Sequence, residues 1–323
     1  MKVVVADPIG GPENLLYMDF PTPEPGPGEV LVKLEAIGVN FIDVYFRIGL
    51  YKAPETPVRL GQEGAGTIAA VGAGVVDWKV GQRVAYCMTR GSYAEYAVVA
   101  QQFLVNLPEA VSFEDGAAVL LQGMTAHYLV HSTFALKPGH TCLIHAAAGG
   151  AGILLVQQAK IAGATVIGTV STKEKADLVK QHGADHVILY TEQDFVAETK
   201  KLTGNKGVDV VYDSVGKTTF FQSLDCLRPR GLMASFGQSS GAVGSIDPLV
   251  LSQKGSLFLT RPSLGNYISD PADLKWRSSD LFQWIADGRL KVRVHKIYKL
   301  ADAAQAQQDL EARKTSGKLL LKP

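Results

Sequence analysis

A glycine-rich turn between an apolar strand and a helix narrows the choices most. The stretch Thr141 to Lys175 reads TCLIHAAAGGAGILLVQQAKIAGATVIGTVSTKEK. Cys142-Leu143-Ile144 is a short apolar run after Pro138-Gly139, which is how a buried parallel strand reads. Ala147-Ala148-Gly149-Gly150-Ala151-Gly152 follows. Laid on G-x-G-x-x-G, it supplies Ala147, Gly149 and Gly152, with alanine in the first place. The second position lets a backbone approach a pyrophosphate, and the last lets helix and strand pack closely. A helix predicted over Ile153 to Ile161 points its first amides at the phosphates, and a strand over Ala164 to Val170 completes a βαβ unit. The motif has the context it needs, a strand before it and a helix after it. The alternative is a glycine-rich strand–helix turn that holds no ligand.

The end of that second strand selects among dinucleotides. An NAD site usually carries Asp or Glu there to hold the ribose 2′-hydroxyl. Here Gly168-Thr169-Val170-Ser171-Thr172-Lys173-Glu174-Lys175 offers no acid at the strand end, and hydroxyls and two lysines follow. A carboxylate repels a 2′-phosphate, whereas hydroxyl and ammonium donors hold one. The reading therefore leans to NADP(H), against the alternative that Lys173 and Lys175 are solvated helix residues.

A length of 323 residues predicts two domains. With 46% hydrophobic and 20% charged residues, the chain can bury a large core. A formal charge of +1 calls for neither nucleic acid nor a membrane surface. Cys87, Cys142 and Cys226 are too scattered for a disulfide framework or a C-x-x-C metal pair, so they read as buried free thiols. No apolar stretch reaches the length of a membrane span and the start has no signal-like apolar core, so a cytoplasmic protein is expected.

Taken in order, the first 110 or so residues are β-rich and punctuated by glycine. Glu29 to Ile37 alternates, and Gly61 to Gly72, Arg83 to Tyr86 and Ser92 to Val99 are further strand candidates. Ser112-Phe113-Glu114-Asp115 starts a helix running through Leu120, and a second helix is predicted around Thr125 to Thr133. Strands then alternate with helices, near 141–146, 165–170, 186–190, 208–213, 231–236 and 256–260. Six strands in that order predict a doubly wound parallel sheet. The tail, with a helix over Ser278 to Ala286, a strand region over Lys291 to Leu300, a helix over Ala301 to Ala312 and a strand at Lys318 to Leu321, is too short to fold alone and is expected to return to the first domain.

Some motifs match only by letter. His127 and His131 stand four apart, but Tyr128 sits where a zinc protease needs Glu. Gly237-Gln238-Ser239-Ser240-Gly241 spells G-x-S-x-G without the helix a nucleophile elbow requires.

Over nearly its whole length the sequence resembles the medium-chain dehydrogenase/reductase superfamily, and within it the zinc-free NADPH:quinone oxidoreductases related to zeta-crystallin. The resemblance is carried by Gly38-Val39-Asn40-Phe41-Ile42-Asp43, Gly61-Gln62-Glu63-Gly64-Ala65-Gly66, His145 to Gly152, and Tyr212-Asp213-Ser214-Val215-Gly216. It implies an α/β chain with a GroES-like β-rich catalytic domain over 1–123 and 266–323, around a Rossmann NADPH-binding domain over 124–265. It also implies a homodimer joined through the nucleotide domain. Zinc-dependent relatives carry cysteine where this chain has Asn40, and G-H-E where it has Gly61-Gln62-Glu63. Both ligands are replaced by carboxamides, which are poor zinc ligands, so no metal site is expected.

The resemblance also distributes roles. Asn40 and Tyr128 fall near the nicotinamide, Gly149, Gly150 and Ala151 at the pyrophosphate, and Ser171, Lys175 and Tyr190 at the adenosine 2′-phosphate, with Gly168 also among the cofactor-binding residues. Ser214, Phe236, Gly237, Ser239, Phe258 and Thr260 line the path between, and Lys318 returns from the tail to the cofactor. Asp43, Tyr45 and Tyr51 would border the acceptor pocket beside Asn40, each tyrosine having core or rim packing as its alternative. The expected activity is NADPH-dependent reduction of a quinone or similar conjugated carbonyl, with α,β-unsaturated aldehydes and ketones as the alternative acceptors. A nucleotide-binding protein that does not turn over, sensing NADPH or binding RNA, is the reading from another class.

Overall fold

The strands on either side of the glycine turn are mostly apolar runs turned inward. In the computed structural model, which describes residues 1–323, Cys142, Leu143 and Ile144 are fully buried. Two compact units divide the chain, Thr125–Asn266 and the combination of Met1–Met124 with Tyr267–Pro323.

The Thr125–Asn266 unit is a six-stranded sheet, parallel throughout. In spatial order its strands are His186–Leu189, Thr165–Val170, Thr141–Ile144, Val208–Asp213, Leu227–Ser235 and Phe258–Thr260. Counted along the chain this is the order 3-2-1-4-5-6, so the strand order reverses between Thr141–Ile144 and Val208–Asp213. A crevice at the carboxyl ends of those two strands is where such sheets take a ligand. The helix Gly150–Ile161 opens there, with Gly149 as its N-cap. One core of this unit gathers Leu143, Ile167, Ile188, Val211, Phe220 and Met233.

The other unit is organised on the eleven-residue strand Glu29–Val39. Glu63–Val71 and Tyr96–Ala100 pair with it antiparallel, and Arg83–Cys87 and Leu104–Asn106 extend the sheet beyond Glu63–Val71. The late strand Lys318–Lys322 pairs antiparallel with its far end, Leu319 opposite Val39, and Val294–Lys299 lies outside that. The tail thus closes the sheet that the first hundred residues begin. A small second sheet joins Lys2–Ala6 to Leu15–Asp19 and Val58–Arg59.

Two local expectations change. The two helices predicted across 112–133 are one, Phe113–Tyr128, running on into a π-helical turn at Leu129–Thr133. Nothing between Leu120 and Thr125 breaks an α-helix except Gly123, and one glycine costs only about 1 kcal/mol. Asn40 caps a short helix, Phe41–Arg47, which the apolar pattern did not disclose. No helix is long and apolar enough to cross a membrane.

Candidate functional site

In the unit built on Glu29–Val39, four polar residues far apart in sequence meet in a buried cluster. The strand ends at Val39 and Asn40 begins the helix Phe41–Arg47. The Asn40 backbone N–H donates to Asp43 Oδ2 at 2.8 Å, a cap that fixes the turn. Its side-chain Nδ2 donates to Glu63 Oε2 at 2.9 Å, and its Oδ1 accepts from Lys318 Nζ at 2.7 Å and Gln122 Nε2 at 3.1 Å. Glu63 Oε2 also accepts from Lys318 Nζ at 2.6 Å, while Glu63 Oε1 accepts from the Leu121 backbone N–H at 2.7 Å. Asn40, Glu63 and Lys318 are all at most 2% exposed. A buried charge pair needs such supporting hydrogen bonds to survive desolvation.

Asp43 lies beneath this cluster and does not border an open pocket. It is fully buried, and its Oδ2 also accepts from Tyr93 OH at 3.1 Å. Tyr93 receives a bond from Gln307, whose Oε1 accepts from Arg47, and Arg47 pairs with both oxygens of Glu311. Asp43 Oδ1 has no partner. Burial pushes the Asp43 carboxyl up to about 7, while the Asn40 N–H and the Lys318 charge pull it back only in part. Tyr93, Lys318 and Glu63 are the other ionisable groups that act on it.

A pH effect follows with a definite sign. Between about pH 4 and 7 the folded Asp43 holds a proton that the unfolded chain has released, so stability falls as pH rises through that window. Asp43→Asn keeps an acceptor for Asn40 and Tyr93 but cannot ionise. Its urea midpoints at pH 5 and pH 8 should therefore lie closer together than those of the wild type. An unchanged gap would show that the carboxyl ionises as it does in water.

Tyr45 and Tyr51 are half-buried and meet edge to face, ring centroids 5.3 Å apart. Phe46 packs on Tyr51 at 5.7 Å, and the Arg90 guanidinium, itself paired with Glu55, lies 5.2 Å from the Phe46 ring. These rings make an aromatic wall on the helix that Asn40 caps.

In the Thr125–Asn266 unit the glycine turn is held by main-chain bonds. Ala147 N–H donates to Thr169 O at 3.1 Å, and Gly149 N–H to Ala146 O at 2.9 Å. A Cβ at Gly149 would meet only the Ala146 carbonyl, at 3.2 Å, so Gly149, Gly150 and Ala151 form an open-faced helix start. A Cβ at Gly168 would fall 2.9 Å from the Ala147 methyl, so Gly168 lets its strand pack closely beneath the turn. Val170 pairs with Leu189, and Tyr190 N–H donates to Val170 O at 3.1 Å. This places Ser171 and the exposed Tyr190 at one corner of the sheet. Thr172 caps the helix Lys173–Gln181 by accepting from the Lys175 N–H, and burial holds the partly covered Lys175 ammonium below its ordinary pKa.

Ser214, Phe236, Gly237 and Ser239 also come together. Phe236 N–H donates to Asp213 O at 2.8 Å, Ser239 N–H donates to Ser214 O at 3.1 Å, and a Cβ at Gly237 would strike Ser214 O at 2.5 Å. Thr260 is level with Ala234 on the edge strand, but Phe258 sits two residues earlier, level with Leu232 and 61% exposed. The parallel strands carry Phe258 away from the end where the glycine turn lies. Tyr128 is buried at the end of its helix. Lys318, expected to reach the cofactor, spends two of its hydrogen bonds on Asn40 and Glu63.

Two buried residues with no role in the sequence reading hold this end of the sheet. His145 is flanked by Thr169 Oγ1 at Nδ1 and Ser223 Oγ at Nε2, both at 2.9 Å. Ser223 gives its own proton to Thr219 O at 2.8 Å, so Nε2 carries the imidazole proton, and burial keeps the ring neutral. Asp213 accepts from the Val215 and Gly216 N–H groups and the Thr219 hydroxyl. Both stand inside motifs quoted above, but nothing local in the sequence separates a structural role from a catalytic one.

Comparisons with known proteins agree with this architecture. Residues 26–109 match the alcohol dehydrogenase GroES-like domain, and residues 150–270 match a family described as zinc-binding dehydrogenase. The quinone oxidoreductase of Pseudomonas aeruginosa is 49% identical, with 97% of each chain covered. The 2-haloacrylate reductase of a Burkholderia species is 43% identical, with 97% of this chain and 96% of that one covered. The crystal structure of Escherichia coli quinone oxidoreductase complexed with NADPH superposes with a TM-score of 0.98, at 46% identity and full coverage of both chains. Likeness of this extent, on this fold, makes the chain a member of the quinone oxidoreductases of the medium-chain dehydrogenase/reductase superfamily.

Proposed function

We propose that this protein reduces quinones with NADPH and without zinc. The observation that carries the proposal is its full-length likeness to a quinone oxidoreductase solved with NADPH. The residues fit that cofactor. Gly149, Gly150 and Ala151 would hold the pyrophosphate, and Ser171, Lys175 and Tyr190 the 2′-phosphate, with no carboxylate at the strand end to oppose it. Ser214, Phe236, Gly237, Ser239 and Thr260 would line the path toward the nicotinamide, and Asn40 and Tyr128 would serve the nicotinamide half. NADPH, when bound, supplies the hydride; the chain's task is to position two flat rings for transfer. Tyr45 and Tyr51 supply aromatic faces for the acceptor. In this reading residues 124–265 bind the nucleotide and the rest forms the catalytic domain.

The residues do not fit zinc. Asn40 and Gln62 are carboxamides, Glu63 already accepts from three donors, and one of those is the Lys318 ammonium, which would repel a cation. The reading extends to a homodimer joined through the nucleotide-binding domain and to the cytoplasm. Support for the dimer is the open edge strand Phe258–Thr260 with its exposed phenylalanine, since an uncovered edge invites another strand.

The test is NADPH oxidation on protein dialysed against a strong chelator, first with a quinone, then with an enone. The haloacrylate reductase relative favours a conjugated C=C acceptor as the second reading, and faster turnover of the enone would select it. Oxidation with neither acceptor would leave a nucleotide-binding protein without turnover. Cofactor choice has its own test. A hydrogen bond to a charged group contributes about 1.5–3 kcal/mol, so Lys175→Ala should weaken NADPH binding roughly tenfold to a hundredfold. NADH binding should hardly move. Fluorescence titration at fixed ionic strength reads both, and an equal shift for the two cofactors would remove Lys175 from the phosphate site.

A further inference from the structure

We propose that the acceptor carries an apolar tail, and that Ile9, Ile48 and Leu50 form the strip that receives it. The proposal rests on the reading that Tyr45 and Tyr51 face the acceptor. It names the class of compound their wall is built for, a quinone or conjugated carbonyl substituted with a prenyl or alkyl chain.

The apolar surface does not stop at the rings. On the helix Phe41–Arg47, Phe41 and Tyr45 stand four apart, with ring centroids separated by 6.4 Å. Ile48, which ends the helix, comes three residues later, so helical spacing sets all three on one face. Asp43, Val44 and Arg47 turn to the other side and are buried. From Phe41 to Ile48 the face runs about 10 Å. Ile48 is 46% exposed, Leu50 48% and Ile9 52%. Apolar residues exposed singly are ordinary, whereas contiguous ones mark a binding surface. These three are contiguous. Gly49 lies between Ile48 and Leu50, and a Cβ on it would stand 2.6 Å from Ile9 Cδ1, so the Ile9 side chain reaches across the chain at that point.

The strip is also held in place. Gly10 N–H donates to Arg47 O at 2.9 Å, and Arg47 Nε donates to Gly10 O at 3.0 Å, which fastens the segment carrying Ile9 to the end of the helix. Arg47 is itself buried and anchored by Gln307 and Glu311. Tyr51 N–H donates to Tyr45 O at 3.0 Å, which draws Leu50 in beside the two rings. Sites for small molecules are mostly apolar and largely formed before the ligand arrives. This surface continues a wall that takes a flat ring, and a ring with a tail presents its two parts in that order. An apolar chain laid there covers apolar surface on both sides and displaces no protein hydrogen bond.

The test compares the ubiquinone head group bearing no, one or two prenyl units as acceptors for NADPH oxidation. Each methylene taken out of water is worth roughly fourfold in affinity. Partial cover of the tail should therefore raise kcat/KM at least about tenfold from the bare head group to the two-prenyl compound. In the double variant Ile9→Ser with Leu50→Ser that ratio should fall toward one. Both side chains are exposed, so the fold should survive. If the double variant melts early, Leu50→Ser alone should still lower the ratio. A ratio near one in the wild type, or an equally steep one in the variants, would overturn the proposal. So would a smaller sedimentation coefficient for the double variant at equal concentration, because a second copy would then be what covers the strip. Should the wild type oxidise NADPH with none of the three compounds, the quinone reading fails. Equilibrium dialysis of the two-prenyl compound against wild type and double variant still judges the strip, and equal retention by both would reject it.

Discussion

Alanine at Gly152 should weaken the nucleotide-binding unit and its hold on NADPH together, whereas alanine at Gly149 should weaken the hold alone. A Cβ on Gly152 would stand 2.3 Å from the Ala146 carbonyl oxygen and 2.8 Å from the Ala147 Cα. Both obstacles are main chain, and neither is free to retreat. Ala147 is tied to Thr169 and Ala146 to Gly149, so moving them pulls the turn off the strand beside it. Overpacking of this kind costs about 1–3 kcal/mol, and the rigidity of both walls puts Gly152 at the upper end. A loss of about 3 kcal/mol corresponds to a fall in Tm of roughly 6–12 °C for a unit of this size. The displaced turn also misaims the first amides of the helix Gly150–Ile161, so NADPH affinity should drop at least about tenfold. At Gly149 the backbone has φ −72° and ψ 169°, open to any residue, and a Cβ there meets only one atom at 3.2 Å. Gly149→Ala should therefore fold normally and lose affinity only through the methyl it places where the pyrophosphate would lie. Thermal melts of the free proteins and NADPH titrations separate the two. Equal melting temperatures for Gly152→Ala and wild type would refute the packing argument.

Glu63→Ala should cost about 3–5 kcal/mol of folding stability, the penalty for leaving a buried charge without its partner. The substitution orphans three donors at once, namely the Lys318 ammonium, Asn40 Nδ2 and the Leu121 N–H. It also leaves a void that the chain was shaped around. Gly38 lacks a side chain where a Cβ would sit 2.3 Å from Glu63 Oε2 and 2.6 Å from Ala117 O. Glu63→Gln fills the space and keeps an acceptor, so it should lose less, though the ammonium still lacks its counter-charge. Adding Lys318→Met to Glu63→Gln should recover part of the loss, because a neutral pair has no desolvation debt. Urea midpoints of the four proteins test the ordering. A Glu63→Ala protein as stable as wild type would show that the pair contributes nothing net.

The parts of this molecule legible in its sequence are those written in neighbouring residues. The apolar run before Ala147 to Gly152, the missing acid after Val170, and the alternation of strands and helices beyond residue 138 all lie within short windows. The tail's return to the first sheet followed from its being too short to fold alone, and Lys318–Lys322 pairs with Glu29–Val39 as expected. The polar cluster was not legible in that way. Asn40 meets Glu63 across 23 positions, Gln307 meets Arg47 across 260, and Lys318 meets Asn40 across 278. No periodicity records such pairings. Asp43 illustrates the limit, since its spacing from Asn40 announced a capping carboxyl as plainly as a pocket residue, and only burial decides between them. Phe258 shows a second limit of the same kind. A residue's place along a short strand decides which end of the sheet it reaches, and strand boundaries are the least certain part of a sequence reading.

The strand Lys318–Lys322 also sets an order of events during synthesis. Glu63 leaves the ribosome 255 residues before the lysine that neutralises it. At roughly 5–20 residues per second, that interval is about 13–51 s. Throughout it the nascent Glu29–Val39 strand has an open edge and the acid beside it has no counter-ion, so water must stay. Residues 125–266, by contrast, contain every strand of their own sheet and can close while the tail is still being made. The nucleotide-binding half thus matures as an insertion inside an unfinished host, and the host is completed only when Lys318–Lys322 emerges.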